Sequence, residues 1–397
     1  MCYNNHITIF QAENPRQSRW FSGVSKELIS PLNYNENYSP PPYGSPPPYG
    51  YPPNYGYTPQ NPYPPQDGET EIKKSISRDC LKVGAMLISY QILTSIMVKV
   101  FFIAAHFVLS GNFAGYEEAR IGLVENYRDT VVSTSFSMLL NITVTGTALI
   151  FTLLLGRIVL GFSFNGFLRP SAEGAKTGLR FFPACFVLNI LFSLMVNIFT
   201  AYMDSMGVTI PEADFTIRNP SVAAVVFQFF YVAIAAPLFE EILYRGIILG
   251  GLAKYGDIPA VLLSAVCFGL MHGNIPQAVA AFGTGLAYAS IAISCRSIIP
   301  SLVIHSLNNL IVSMEELGAP LHIPHIGSVT GALQILTALL GFYLLMTRYS
   351  YFRHDENEVL YRKGEVTRTI FRNPVIVIYL AILILSIISG IINSNIG

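Results

Sequence analysis

The chain has 397 residues, of which 52% are apolar and only 12% charged, with 24 Lys and Arg balanced by 24 Asp and Glu. Soluble domains carry roughly 25% charged residues, so this composition excludes an ordinary soluble domain and implies a polytopic membrane protein with membrane lipid as its first partner. Zero net charge gives no reason to expect nucleic acid or a strongly acidic partner.

Residues 1–75 read as a separate segment, a disordered Pro/Tyr/Gly-rich cytoplasmic tail. Ser-Pro-Pro-Pro-Tyr-Gly occurs at 39–44 and again at 45–50, and Tyr, Pro, Asn and Gly continue to residue 65 without apolar periodicity. Pro-Pro-x-Tyr resembles a WW-domain ligand, but the same composition arises in featureless tails, and a WW-like partner is not expected. No basic stretch followed by an apolar run and a small-residue cleavage site appears near the start, so the first membrane helix is expected to act as the export signal.

From residue 76 onward the chain reads as a membrane domain with nine apolar segments, at about 83–109, 133–156, 181–203, 221–247, 258–272, 276–294, 298–315, 326–347 and 374–393. The fifth and seventh are short for a full span, which is tolerated where helix ends are buried in protein or line a water-filled cavity. Basic residues alternate between loops. Lys73, Lys74, Arg78 and Lys82 precede the first span, Arg157, Arg169, Lys176 and Arg180 surround the second loop, and Arg348, Arg353, Arg362, Lys363, Arg368 and Arg372 fill the eighth. The loops between are acidic, as in Glu117, Glu118, Glu125 and Asp129, or Asp204, Glu212 and Asp214. This bias places the N-terminus in the cytoplasm and the C-terminus outside. The expected fold is an all-α, polytopic transmembrane helical bundle.

Three polar clusters interrupt the later spans: Glu240-Glu241-x-x-x-Arg245, Phe268-x-x-x-His272 and His305-x-x-x-Asn309. Ionisable groups at bilayer depth are expensive and mark functional sites by default. A spacing of four puts each pair on one helix face. Glu241 and Arg245 have the favourable order for an ion pair, which leaves Glu240, about 100° around the helix, as the carboxylate free to act as a base. Two histidines, an amide and a carboxylate pair suffice for amide hydrolysis: a base for water, donors for the oxyanion, and a proton for the leaving amine. His272, His305 and Glu240 would equally serve as three protein ligands of a divalent metal such as zinc. There is no H-E-x-x-H, and spacing does not choose between metal-bound and metal-free water.

In this order and on successive helices, the three clusters resemble the motifs of the CPBP family of intramembrane proteases, which includes the Ras-converting CAAX endopeptidase and bacterial Abi proteins. The resemblance covers about residues 220–315, corresponding to spans four to seven. It implies that Glu240 and His272 activate the hydrolytic water and that His305 and Asn309 polarise the scissile carbonyl, with Glu241, Arg245 and Phe268 in support. It further implies an intramembrane endopeptidase acting on a peptide or lipid-anchored protein, in a bacterial plasma membrane. Cofactors are either none or one divalent metal. The metal-free reading is preferred, because the two histidines lie on separate helices and the Asn309 amide suits an oxyanion better than zinc. The rival reading is a non-catalytic membrane scaffold or bacteriocin-immunity protein that binds a peptide with the same cluster; a transporter is disfavoured because no hydropathy repeat is visible.

The remaining features read as structural. Lys99 snorkels or pairs within the bundle, His322 and His325 belong to an outer loop, and Gly283 and Gly285 suit close helix packing. The five cysteines show no metal spacing and read as free thiols.

Overall fold

In lipid a backbone must satisfy its own hydrogen bonds, and long apolar runs without an alternating pattern have the helix as their stable solution. The computed structural model describes residues 66–164, 167–168, 171–214, 216–218, 220–348 and 364–396, and among these there is no strand. Of the tail expected over residues 1–75, residues 1–65 lie outside the described residues, as do the basic residues Arg169, Arg353, Arg362 and Lys363.

All nine apolar segments are helices. In chain order they are α1 Gln66–Ser110, α3 Thr134–Ile158, α4 Ala172–Ser205, α5 Val222–Tyr255, α6 Asp257–Leu270, α7 Ile275–Cys295, α8 Ile299–Val312, α9 Ile326–Arg348 and α11 Pro374–Ile396. Short helices lie between them, among them α2 Tyr116–Asn126 and α10 Glu365–Phe371. Among the described residues seven helices are long and apolar enough to cross a membrane, and the protein is an integral membrane protein. The two exceptions are α6 and α8, with 14 residues each. At 1.5 Å per residue they reach about 21 Å, short of a hydrocarbon core of about 30 Å. At 45 residues α1 is more than long enough, and its first turns, rich in polar helix formers, lie beyond any span. It begins at Gln66, directly after Pro64 and Pro65, upstream of the boundary at residue 75 that composition suggested.

Cross-links between helix ends sort the loops into two groups. At one end Asn373 bonds Ser77 at 3.1 Å, Lys254 pairs with Asp79 at 2.7 Å, and the Ile298 N–H donates to the Phe167 carbonyl at 2.8 Å. At the other, the Thr134 N–H donates to the Arg218 carbonyl at 3.2 Å, Asn395 bonds Thr209 at 2.9 Å, and Ile217, Val225 and Leu317 pack together. The first end therefore gathers Lys73, Arg78, Lys82, Arg157, Lys176, Arg180, Arg368 and Arg372, and the second the acidic loops. Packing and loop charge divide the molecule along the same line.

Helices approach closely where side chains are absent. A Cβ on Gly341 of α9 would overlap the Pro183 carbonyl of α4, and one on Gly283 of α7 would enter the Phe192 ring of α4. Gly285 faces Phe268 and Ala265 of α6, so both α7 glycines serve packing. The core runs along α5, where Leu243, Ile247, Ile248 and Leu249 are buried against α1, α6 and α7. Lys99 lies 5.7 Å from the Tyr116 ring centre, a partner within the bundle. His322 and His325 sit in the loop before α9, both with left-handed backbone. Among the described residues Cys80, Cys185 and Cys267 are free thiols.

Candidate active site

The site is built on the middle of α5. This helix widens into π-helical turns at Tyr231–Ala235 and Ile242–Leu249, and between them lies the short α-helical stretch Ala236–Glu241 that carries Glu240 and Glu241. Such widenings are uncommon and concentrate at functional sites.

Glu241 and Arg245 form the expected ion pair, 3.0 Å between Oε1 and Nη1, with both side chains completely buried. Leaving either charge alone in such a place costs about 3–5 kcal/mol, so the surroundings must complete the pair. Two further helices supply part of that completion. Arg245 Nη2 donates to the Gly285 carbonyl of α7 at 3.3 Å, and its guanidinium stands 4.3 Å from the Phe268 ring centre of α6 and 5.5 Å from that of Tyr288 of α7. Against a desolvated cation such rings contribute about 2 kcal/mol.

His305, on α8, connects the two glutamates. Its Nδ1 lies 3.0 Å from Glu241 Oε1, and its Nε2 lies 3.6 Å from Glu240 Oε2. Glu241 thus accepts from both Arg245 and the imidazole, which fixes the ring with Nδ1 protonated and Nε2 directed at Glu240. Glu240 is the more open carboxylate: its side chain is 17% exposed where that of Glu241 is 0%. The local sequence made Glu240 the free carboxylate, and the structure adds the imidazole that faces it.

His272 lies just past the last turn of α6. Gly273, with φ of +73°, turns the chain, and Asn274 caps α7 by accepting from the Gln277 N–H at 2.9 Å. A second bond from Asn274, 3.1 Å to the His272 carbonyl, fixes the turn. The His272 Nδ1–H donates to the Phe268 carbonyl at 2.9 Å, so its Nε2 carries the lone pair. Phe268 is the common support. The His272 and His305 rings meet it edge to face at 5.3 and 5.4 Å, and Arg245 covers it.

Asn309, one turn beyond His305, enters the cluster differently. Its Nδ2 donates to the Val232 carbonyl of α5 at 3.0 Å. The amide expected at an oxyanion is bonded to backbone.

His272, His305 and Glu240 are not gathered as metal ligands: among the described residues, no three His, Cys, Asp or Glu side chains come together in a way that would hold a metal ion. His272 is tied to the α6 backbone, and His305 is tied to Glu241.

Sequence reading missed two contributors. Tyr288 packs its ring 5.4 Å from His305, and Gly285 supplies the carbonyl for Arg245. An aromatic residue or a glycine within an apolar helix reads as packing. Only the neighbouring helix shows it to be part of a site.

Comparison with curated proteins and with solved structures gives no match. The family model described as type II CAAX prenyl endopeptidase Rce1-like does match, over residues 222–311, which is α5 to α8 and contains all three polar clusters. Residues 222–311 thus match an Rce1-like domain, consistent with the CPBP family whose motifs the three clusters resemble.

Proposed function

We propose that the protein is an intramembrane endopeptidase in which Glu240 is the base that activates water. The observation that carries this reading is the unlike treatment of two adjacent glutamates. Glu241 is buried and locked to Arg245 and His305, whereas Glu240 is partly open and faces the second nitrogen of the same imidazole. A carboxylate reachable by water, beside an oriented imidazole in a low-dielectric setting, is the arrangement that general-base hydrolysis needs.

In this mechanism a water held by Glu240 and the lone pair on His272 Nε2 attacks the scissile carbonyl carbon. Its proton passes to Glu240 as the new C–O bond forms. His305, with Nδ1–H given to Glu241, stabilises the oxyanion from a protonated Nε2, its positive charge balanced by Glu241. Glu240 then returns the proton to the amide nitrogen as the C–N bond breaks, leaving a carboxylic acid and an amine, and transfer of the acid's proton to the amine gives carboxylate and ammonium products. Glu241, Arg245 and Phe268 hold the two imidazoles in place, and Asn309 is assigned no step.

The matched family is named for prenylated substrates, and a peptide bearing a prenylated C-terminal CAAX sequence is the first substrate to test. The protein in liposomes should release a C-terminal fragment, identified by mass spectrometry, from the farnesylated peptide, and the rate should survive addition of a chelator. Failure to cleave any lipid-anchored or membrane peptide, or undiminished cleavage by Glu240→Gln, would overturn the proposal. Loss of cleavage on chelation, restored by zinc, would overturn its metal-free form.

The same reading places the basic end of the bundle in the cytoplasm. A reporter that fluoresces only there should be bright when inserted after Arg372 and dark when fused after Gly397. A bright C-terminal fusion would rule out that orientation.

A further inference from the structure

The bond from Asn309 to the Val232 carbonyl has a cause in the sequence of α5. In the first π-helical turn the Ala236 N–H donates to the Tyr231 carbonyl, five residues back. In an α-helix that N–H would have served Val232. Kept one step further along, the π register requires the N–H of residue 237 for Val232, and residue 237 is a proline, which has none. Both ordinary donors are thus denied to the Val232 carbonyl, in a helix at bilayer depth where water is no substitute. The Asn309 Nδ2 supplies the missing donor from α8 at 3.0 Å.

We propose that Asn309 is a positioning residue that replaces the N–H absent from Pro237 and so holds the break in α5 that sets the direction of Glu240 and Glu241. Each residue of a helix turns its successor by about 100°, so whether this turn is π or α decides which way the glutamates three and four positions later face. Asn309 acts from the same helix as His305, so a single helix both orients the imidazole and fixes the carboxylates it faces. The effect on catalysis rests on the endopeptidase reading; the bracing itself does not.

The test is a double-mutant cycle in the full-length protein, with Asn309→Ala, Pro237→Ala and the pair, read by thermal unfolding in detergent and by kcat and KM on the farnesylated peptide. Pro237→Ala restores an N–H within reach of the Val232 carbonyl. Asn309→Ala alone should lower the unfolding midpoint and reduce kcat at least tenfold with KM little changed, and Pro237→Ala should recover most of both losses. Additive effects on the unfolding midpoint would overturn the brace, since a donor acting only on an oxyanion is not replaced by a backbone N–H in α5. Coupled unfolding midpoints with equal kcat in all four proteins would overturn the positioning role. If the wild-type protein cleaves nothing, the endopeptidase reading fails while the unfolding cycle still decides the brace. Should Asn309→Ala not fold, Asn309→Leu keeps the branched shape without a donor and takes its place in the cycle.

Discussion

The helices α5 and α11 are both long apolar spans, yet they are built differently. α11 carries no ionisable side chain apart from Tyr379 and is regular throughout, and it turns Val377, Ile382 and Leu385 outward. α5 carries two glutamates and an arginine, contains a proline, and is twice widened into π-helix. Crossing a membrane requires only apolarity and a closed hydrogen-bond ladder, and α11 has little beyond these. In α5 the ladder is interrupted where polar groups must point inward, and each interruption is completed by a neighbour: Asn309 for the Val232 carbonyl, Gly285 and two aromatic rings for Arg245. Among the described residues, π-helical turns occur only in the helix that carries the two glutamates.

Three substitutions sharpen the contrast. The largest effect belongs to Glu240→Gln, which removes the proposed base and should slow cleavage of the farnesylated peptide by about a hundred- to ten-thousand-fold. Because the Glu240 side chain is partly open and no part of the locked pair, its unfolding midpoint should stay near that of the wild type. Arg245→Met should instead act on stability, by about 3–5 kcal/mol in denaturation measurements, because it removes the buried cation paired with Glu241 and leaves the carboxylate with His305 alone. Adding Glu241→Leu to it should recover part of that loss; no recovery would mean that packing, not charge, dominates the site.

The smallest effects belong to α11. Leu385, 62% exposed, should tolerate Ala within about 0.5 kcal/mol in unfolding measurements, whereas Lys at the same position should cost about 2.5–3.5 kcal/mol in membrane insertion. A large loss for Leu385→Ala would show that this face meets protein and would weaken the contrast with α5.

Much of this could be read from the residues alone. The nine helices follow from apolar segment length, including the shortness of α6 and α8. Two of the three four-residue spacings met as expected, Glu241 with Arg245 and Phe268 with His272, because such pairs are set by helix geometry alone. The helix α2 in the first acidic loop was not foreseen. It has no marked apolar face, and only its packing, with Ala119 and Leu123 buried, identifies it.

Sequence alone thus determined what is local: where helices lie, which end of the bundle is basic, and which charged residues share a turn. Tertiary structure decided what depends on residues far apart in the chain. Glu241 and His305 are separated by 64 positions and Val232 and Asn309 by 77, and these contacts make one glutamate a fixture and leave its neighbour open. The π-helical turns belong to the same class. An α-helix and a π-helix differ by one residue in hydrogen-bond register, a small local difference that a proline and a donor from another helix together settle.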